Sequence, residues 1–303
     1  MAENDSVIAA ARAWRGGRLA LATVVSTWGS APRPRGSHMI VHADGRFEGS
    51  VSGGCVETDI LAVAADVIAG APAVVKHYGV ADADAWEVGL PCGGEIAVLV
   101  QPVSEAGFPP ALFDTIHAAR EAGEAIDVGT DLATGISAEG PGEWLNRYDP
   151  PRRLLIVGAV QIAQSLAGLA RELGINCTVI DPRGRFLTPA RFPQVTLDDR
   201  WPDEAVTALK PDRATAVVTL SHDPKIDDAA LLAALAGPAA YVAALGSRKS
   251  QAARLERLAA AGVSPENLAR IEGPAGLDLG AIGPAEIALS IAAAMVRSFH
   301  GRA

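Results

Sequence analysis

The sequence predicts an α/β protein built in two parts: a small mixed α+β N-terminal domain followed by a parallel-sheet domain. Three observations predict it. A chain of 303 residues exceeds what one hydrophobic core usually organises, so two domains of about 100–200 residues each are expected. Asp149-Pro150-Pro151 interrupts any helix or ladder, because consecutive prolines lack amide donors, and this sets a boundary near Pro151. Beyond it, strand-like and helix-like runs alternate, the pattern of a parallel sheet with right-handed crossovers, a Rossmann-like domain.

In the first part, Ser6 to Arg15 has helical spacing, with Asp5 or Ser6 as cap and Gly16-Gly17 as stop. Leu19 to Ser26 and Met39 to His42 are apolar, β-rich runs, and Asp44-Gly45 between Val41 and Phe47 signals a hairpin. Cys55 to Ala69 carries the helical stripe Val56, Ile60, Val63, Val67 and Ile68. Ala73 to Tyr78 and Glu95 to Val103 are further strands, completing a domain over residues 1–108. Residues 109–150 hold one helical stretch around Leu112 to Glu121 and little periodicity afterwards, so they are expected to be a connecting region. In the second domain, 151–303, strands fall at Leu154 to Val157, Cys177 to Asp181, Ala216 to Leu220 and Tyr241 to Leu245. Helices fall at Ala163 to Leu173 and Asp228 to Ala236, and Pro284 suits the first turn of another.

Hydrophobic content of 49% and charged content of 20% describe an ordinary globular protein. A net charge of −9 excludes a nucleic-acid footprint, which needs a basic surface. Arg33-Pro34-Arg35 and Arg248-Lys249 remain available to one small anionic ligand. The N-terminus lacks the basic and apolar regions of a secretory signal, and no apolar stretch approaches the about 18 residues of a membrane span. Three cysteines without dense spacing suit a reducing cytoplasm.

Two of those cysteines stand beside Gly-Gly pairs, in Ser52-Gly53-Gly54-Cys55-Val56-Glu57 and Pro91-Cys92-Gly93-Gly94-Glu95. Gly-Gly lets successive amides turn inward to make a concavity for an anion with a thiol at its edge. Cys55 is expected where such a turn opens a helix, a place that favours thiolate and so a soft metal, a dithiolene sulfur or a transferable sulfur. The plainer alternative is a small apolar residue in a tight turn. Cys92 is the second candidate, and both are candidate metal ligands. Glu57 serves either as a proton carrier, as an orienting group, or as an acid favouring the helix dipole. Arg33, in a Pro-bounded loop, is a candidate phosphate clamp. Cys177 is read as core.

The first turn of the second domain is Gly158-Ala159-Val160-Gln161-Ile162-Ala163. A dinucleotide fingerprint has glycine at the third position so that pyrophosphate can approach, and Val160 replaces it, although Asp181 occupies the expected ribose-contacting place. Ser221-His222-Asp223 and Gly246-Ser247-Arg248 follow strands, at the carboxyl ends where such sheets bind ligands. There His222 could relay a proton. Asp278 lies in a loop that either closes over a ligand or simply connects to a helix.

These motifs, in this order, resemble the XdhC/CoxI family. Further shared stretches are Ala22-Thr23-Val24-Val25 through Gly29-Ser30-Ala31-Pro32-Arg33 and Gly36, Ala244-Leu245 before Gly246, and Gly276-Leu277-Asp278-Leu279-Gly280 before Pro284-Ala285-Glu286. Val160 departs from the family's Gly-Ala-Gly. The resemblance implies an accessory protein that binds molybdenum cofactor (molybdopterin) and delivers it to a xanthine dehydrogenase-type molybdenum hydroxylase. It also implies a sulfurtransferase as a further partner and a homodimer. On this reading Arg33, Ser52, Gly53, Gly54, Cys55, Glu57, Cys92, Gly93 and Gly94 contact the cofactor, as do Gly158, Asp181, His222, Asp223, Gly246, Ser247, Arg248 and Asp278. The alternatives are an NAD(P)-dependent oxidoreductase, with Cys55, Cys92 or His222 as catalytic candidates, and an interaction module whose glycine turns are architectural.

Overall fold

The computed structural model describes residues 3–31, 33–79 and 94–301, in two units, Ala2–Pro150 and Pro151–Ala303. In the first unit, α1 (Glu3–Ala13) leads into β1 (Leu19–Trp28), β2 (His38–His42) and β3 (Phe47–Gly49). Then come α2 (Glu57–Ala69), β4 (Val74–Tyr78) and β5 (Glu95–Pro102). The five strands pair antiparallel in the order β3-β2-β1-β5-β4. β1 is apolar almost throughout because both its faces are covered. Ala20, Ala22 and Val24 meet Ile60, Ala64 and Val67 of α2, while Leu19 and Leu21 point the other way into a cluster with Val7, Ile8, Phe113 and Ile116. The Asp44-Gly45 turn closes the β2–β3 hairpin, with Gly45 in the left-handed region at φ 92°.

Residues 109–150, expected as a connecting region, are folded into α3 (Pro110–Glu121), β6 (Ile126–Thr130), β7 (Ser137–Glu139) and β8 (Trp144–Tyr148). The last three form an antiparallel sheet ordered β7-β6-β8. Strands of three and five residues are too short for periodicity to show. Gly129 and Gly142 are packing contacts there: a Cβ on Gly129 would fall 2.5 Å from the Gly142 amide nitrogen. The Trp144 indole donates to the Val25 carbonyl at 2.8 Å. At the start of β2, buried His38 has Nδ1 2.9 Å from the Thr23 hydroxyl and Nε2 2.9 Å from the Tyr148 hydroxyl, and burial lowers its pKa to about 4.

The second unit runs β9 (Arg153–Val157), α4 (Gln161–Glu172), β10 (Asn176–Ile180), β11 (Thr196–Asp198) and α5 (Pro202–Leu209). It continues through β12 (Thr215–Thr219), α6 (Pro224–Leu235), β13 (Tyr241–Ala244), α7 (Arg248–Ala260), α8 (Pro265–Leu268), β14 (Ile271–Glu272) and α9 (Pro284–Phe299). Its six strands are all parallel, ordered β11-β10-β9-β12-β13-β14, so the direction of winding reverses between β9 and β12. Leu154 and Ile156 face one core with Leu166 of α4 and Ile291 of α9; Leu155 and Val157 face another with Ala230 and Leu231 of α6. That two-sided burial is why these strands read as unbroken apolar runs.

Candidate functional site

The antiparallel registers bring three chemistry-bearing segments to one end of the first sheet. Trp28, ending β1, pairs with Glu95, starting β5, and Thr23 pairs with His38 as β2 begins. Met39 pairs with Gly49 as β3 ends. The β1–β2 loop holding Arg33, the turn holding Cys55, and Gly94 at the start of β5 therefore all leave the sheet from this end. Ala31, Val51, Val56 and Ile96 share one apolar cluster beneath them. Arg33 is half-buried there. A Cβ on Gly94 would fall 2.7 Å from the Ser30 carbonyl carbon, so only glycine fits this approach to the Arg33 loop. Cys92 and Gly93 lie outside the described residues.

The Cys55 turn is organised by Glu57, the first residue of α2. One of its carboxylate oxygens accepts from the Ser50 hydroxyl at 2.5 Å, the Val51 amide at 3.2 Å and the Ser52 amide at 2.8 Å. The other accepts from the Gly54 amide at 2.8 Å and from the Ser52 hydroxyl. Ser50 and Ser52 hydroxyl oxygens then accept the remaining turn amides, those of Gly53 at 2.8 Å and of Cys55 and Val56 at 2.9 Å. The concavity expected to receive a ligand's anion thus already contains the protein's own. Partial burial would raise the Glu57 pKa, but the Ser50 and Ser52 hydrogen bonds outweigh it and hold the carboxyl at about 2. Glu57 is ionised at neutral pH and acts here as an orienting group, with no proton to carry. Gly53 and Gly54 adopt φ of 77° and 117°, which makes the turn possible, and their α-carbons face open space. The Cys55 thiol is exposed on this fixed turn. Cys177 instead packs against the second unit's core, where burial pushes its thiol up to about 12.

A similar substitution governs the first turn of the second unit. Buried Asp181 accepts from the Ala159 amide at 2.7 Å and from Arg183 through its amide and through Nε and Nη2, at 2.8–2.9 Å. Arg183 in turn lies over the Phe186 ring. The carboxylate expected to contact ribose is therefore committed to the turn and to an arginine. The Val160 amide donates to the Gly158 carbonyl, and its side chain packs against the core. Gly158, at φ 106°, passes so close to β12 that a Cβ would lie 2.7 Å from the Ser221 nitrogen.

At the end of β12, Asp227 accepts from the Ser221 hydroxyl at 2.6 Å and from the Ser221 and His222 amides at 3.2 Å. His222 is exposed and held in the left-handed region at φ 63°, uncommon for a non-glycine residue. Asp223 caps α6 by accepting from the Lys225 amide, and Ser247 caps α7 by accepting from the Ser250 amide. Gly246 sits at φ 144°; Arg248 and Asp278 are exposed. Sequence reasoning missed Arg183, Asp227 and Arg254. The last had a signal, since Gln251, Arg254 and Leu258 form the buried stripe of α7 and two of them are polar. Among the described residues, no group of three or more His, Cys, Asp or Glu could hold a metal, and no helix is long and apolar enough to cross a membrane.

The model of the XdhC and CoxI family matches residues 13–79, and that of the XdhC Rossmann domain matches residues 154–295. The chain is 30% identical over 279 residues to the molybdenum cofactor insertion chaperone PaoD of Escherichia coli, spanning 90% of this chain and 81% of that protein. It is 25% identical over 311 residues to a probable xanthine dehydrogenase subunit of Bacillus subtilis, spanning 92% of each. The crystal structure of a xanthine dehydrogenase from Bacillus halodurans matches at a TM-score of 0.79 and 24% identity, over 98% of this chain and 97% of that one, which shows a shared fold.

Proposed function

The chain belongs to the XdhC and CoxI family, and from that premise we propose that it binds molybdenum cofactor as cargo and delivers it to a xanthine dehydrogenase-type molybdenum hydroxylase. The observation that carries the proposal is the exposed Cys55 thiol on a turn already fixed by Glu57. A thiolate is a good ligand for a soft metal or a partner for sulfur, and a pre-organised one loses little freedom on binding. Gly53 and Gly54 keep the approach to it clear of side chains. The name of the Escherichia coli relative, at 30% identity, points the same way. In this reading Cys55 grips the cargo while the half-buried Arg33 and the segment entering at Gly94 border the same sheet end. Release to the client completes the cycle without turnover. A sulfurtransferase and a homodimer belong to the same proposal, as does a cytoplasmic setting.

The redox alternative draws no support from the first turn of the second unit, where Asp181 takes the Ala159 amide and Val160 stands in place of the fingerprint glycine. The test is transfer. Protein loaded with molybdenum cofactor is mixed with cofactor-free hydroxylase, and recovery of client activity is followed for wild type and Cys55→Ala. Recovery from wild type at a rate at least about tenfold above the variant is expected; equal recovery from both contradicts the role of Cys55, and none from either contradicts delivery.

A further inference from the structure

The turns leaving β9 and β12 each hold a carboxylate that accepts the local amides, from Asp181 and Asp227. The turn leaving β13 is built differently. Residues 245–254 contain no Asp or Glu, while Arg248 and Lys249 open α7 and Arg254 follows on its buried stripe. Cations in the first turn of a helix oppose its dipole, so this arrangement is locally unfavourable. Arg254 adds to the imbalance. It is 5% exposed; its Nη1 donates to the Gln251 side chain at 2.6 Å and its Nη2 to the Leu245 carbonyl at 2.8 Å, but its Nε has no hydrogen-bond partner. Burial lowers its pKa, against the attraction of Asp227 and Asp228. Those two carboxylates are engaged elsewhere, Asp227 by the Ser221–His222 turn and Asp228 by Arg257 at 2.6 and 3.0 Å.

Of these cations Lys249 and Arg254 border a pocket of ≈ 340 Å³ between the β12–α6 and β13–α7 turns, lined also by His222, Ser250, Arg257 and Asp227, whose carboxylate accepts from Ser221 and His222. An unfavourable charge placement kept in an otherwise consistent fold is a mark of a binding site. An anion there would pair with Lys249 and Arg254 and complement the N-terminus of α7. The volume exceeds that of a phosphate ion, leaving room for an organic portion. We infer that this pocket is a phosphate subsite that takes the phosphate end of an organic phosphate ester, in place of the first turn after β9 that Asp181 already fills. The identity of that ester as the cargo rests on the carrier reading above.

Equilibrium titration of the full chain with inorganic pyrophosphate at fixed ionic strength tests the inference. Saturable binding is expected, weakened at least about tenfold by Lys249→Gln and by Arg254→Gln. Arg171→Gln, removing a remote exposed cation in the last turn of α4, is expected to leave it unchanged. Lys249 is exposed, so its variant reports on the pocket even where Arg254→Gln disturbs folding. Absence of saturable binding below about 1 mM, or equal losses in Lys249→Gln and Arg171→Gln, would overturn the inference. Competition then separates the two readings. Displacement of pyrophosphate by molybdenum cofactor supports both, and cofactor that binds without displacing it overturns the assignment of the pocket to the cargo. Displacement by NADP+ with no binding of molybdenum cofactor keeps the phosphate pocket and overturns the carrier reading.

Discussion

Glu57 and His38 give the first unit a defined response to acid. The Glu57 carboxyl titrates at about 2 in the folded chain, below its ordinary 4.5, so the unfolded chain takes up its proton first. The stability Glu57 contributes is complete above about pH 4.5 and is lost as pH falls towards 2. His38 is buried neutral with a pKa of about 4 against an ordinary 6.5, so its contribution is complete above 6.5 and is lost as pH falls from there to 4. That loss is about 3 kcal/mol, read as a falling urea midpoint; in His38→Asn the fall above pH 4 is expected to flatten while the part below it remains. Glu57→Gln is expected to cost about 1–3 kcal/mol, because the turn's donors lose a charged acceptor. Faster alkylation of Cys55 in that variant would report the loosened turn. The sequence offered Glu57 as an orienting group and the turn as a nest of inward amides, but not that Glu57 itself is the anion those amides hold. The familiar capping pattern places the acid three residues after the cap, whereas Glu57 is the first helical residue and folds back over the preceding turn.

Elements with two covered faces were the legible ones. β9, β12 and β13 appear as apolar runs because α4 and α9 cover one side and α6 the other. The stripe Ala163, Leu166, Ala167 and Ala170 identifies α4 for the same reason, and Leu166→Ala is expected to cost about 2–5 kcal/mol in thermal or urea unfolding. β11 and β14, with three and two residues, left no pattern to find. The β6–β8 sheet was hidden behind Gly129 and Gly142, whose role is the close approach of two backbones. Glycine is equally informative at the turn after β9. Gly158→Ala places a Cβ 2.7 Å from the Ser221 nitrogen in a left-handed conformation, so a loss of about 1–3 kcal/mol is expected, measured as a lowered Tm.

Across the molecule, one device recurs in both units: an acidic side chain accepts the amides of a turn that the sequence marks as a candidate ligand contact. Glu57 does so at the Cys55 turn, and Asp181 and Asp227 do so at the ends of β9 and β12. Beside these filled turns, the described residues present an exposed thiol in the first unit and, in the second, a pocket bordered by Lys249 and Arg254 as well as by Asp227. This division suits a carrier, which needs a thiol for metal or sulfur and cations for phosphate. The measurement that tests it most directly is the equilibrium dissociation constant of molybdenum cofactor for wild type and Cys55→Ala, taken side by side on the full chain. The account predicts binding to wild type and a loss of at least about tenfold in the variant; equal affinities, or no binding to either, would contradict it.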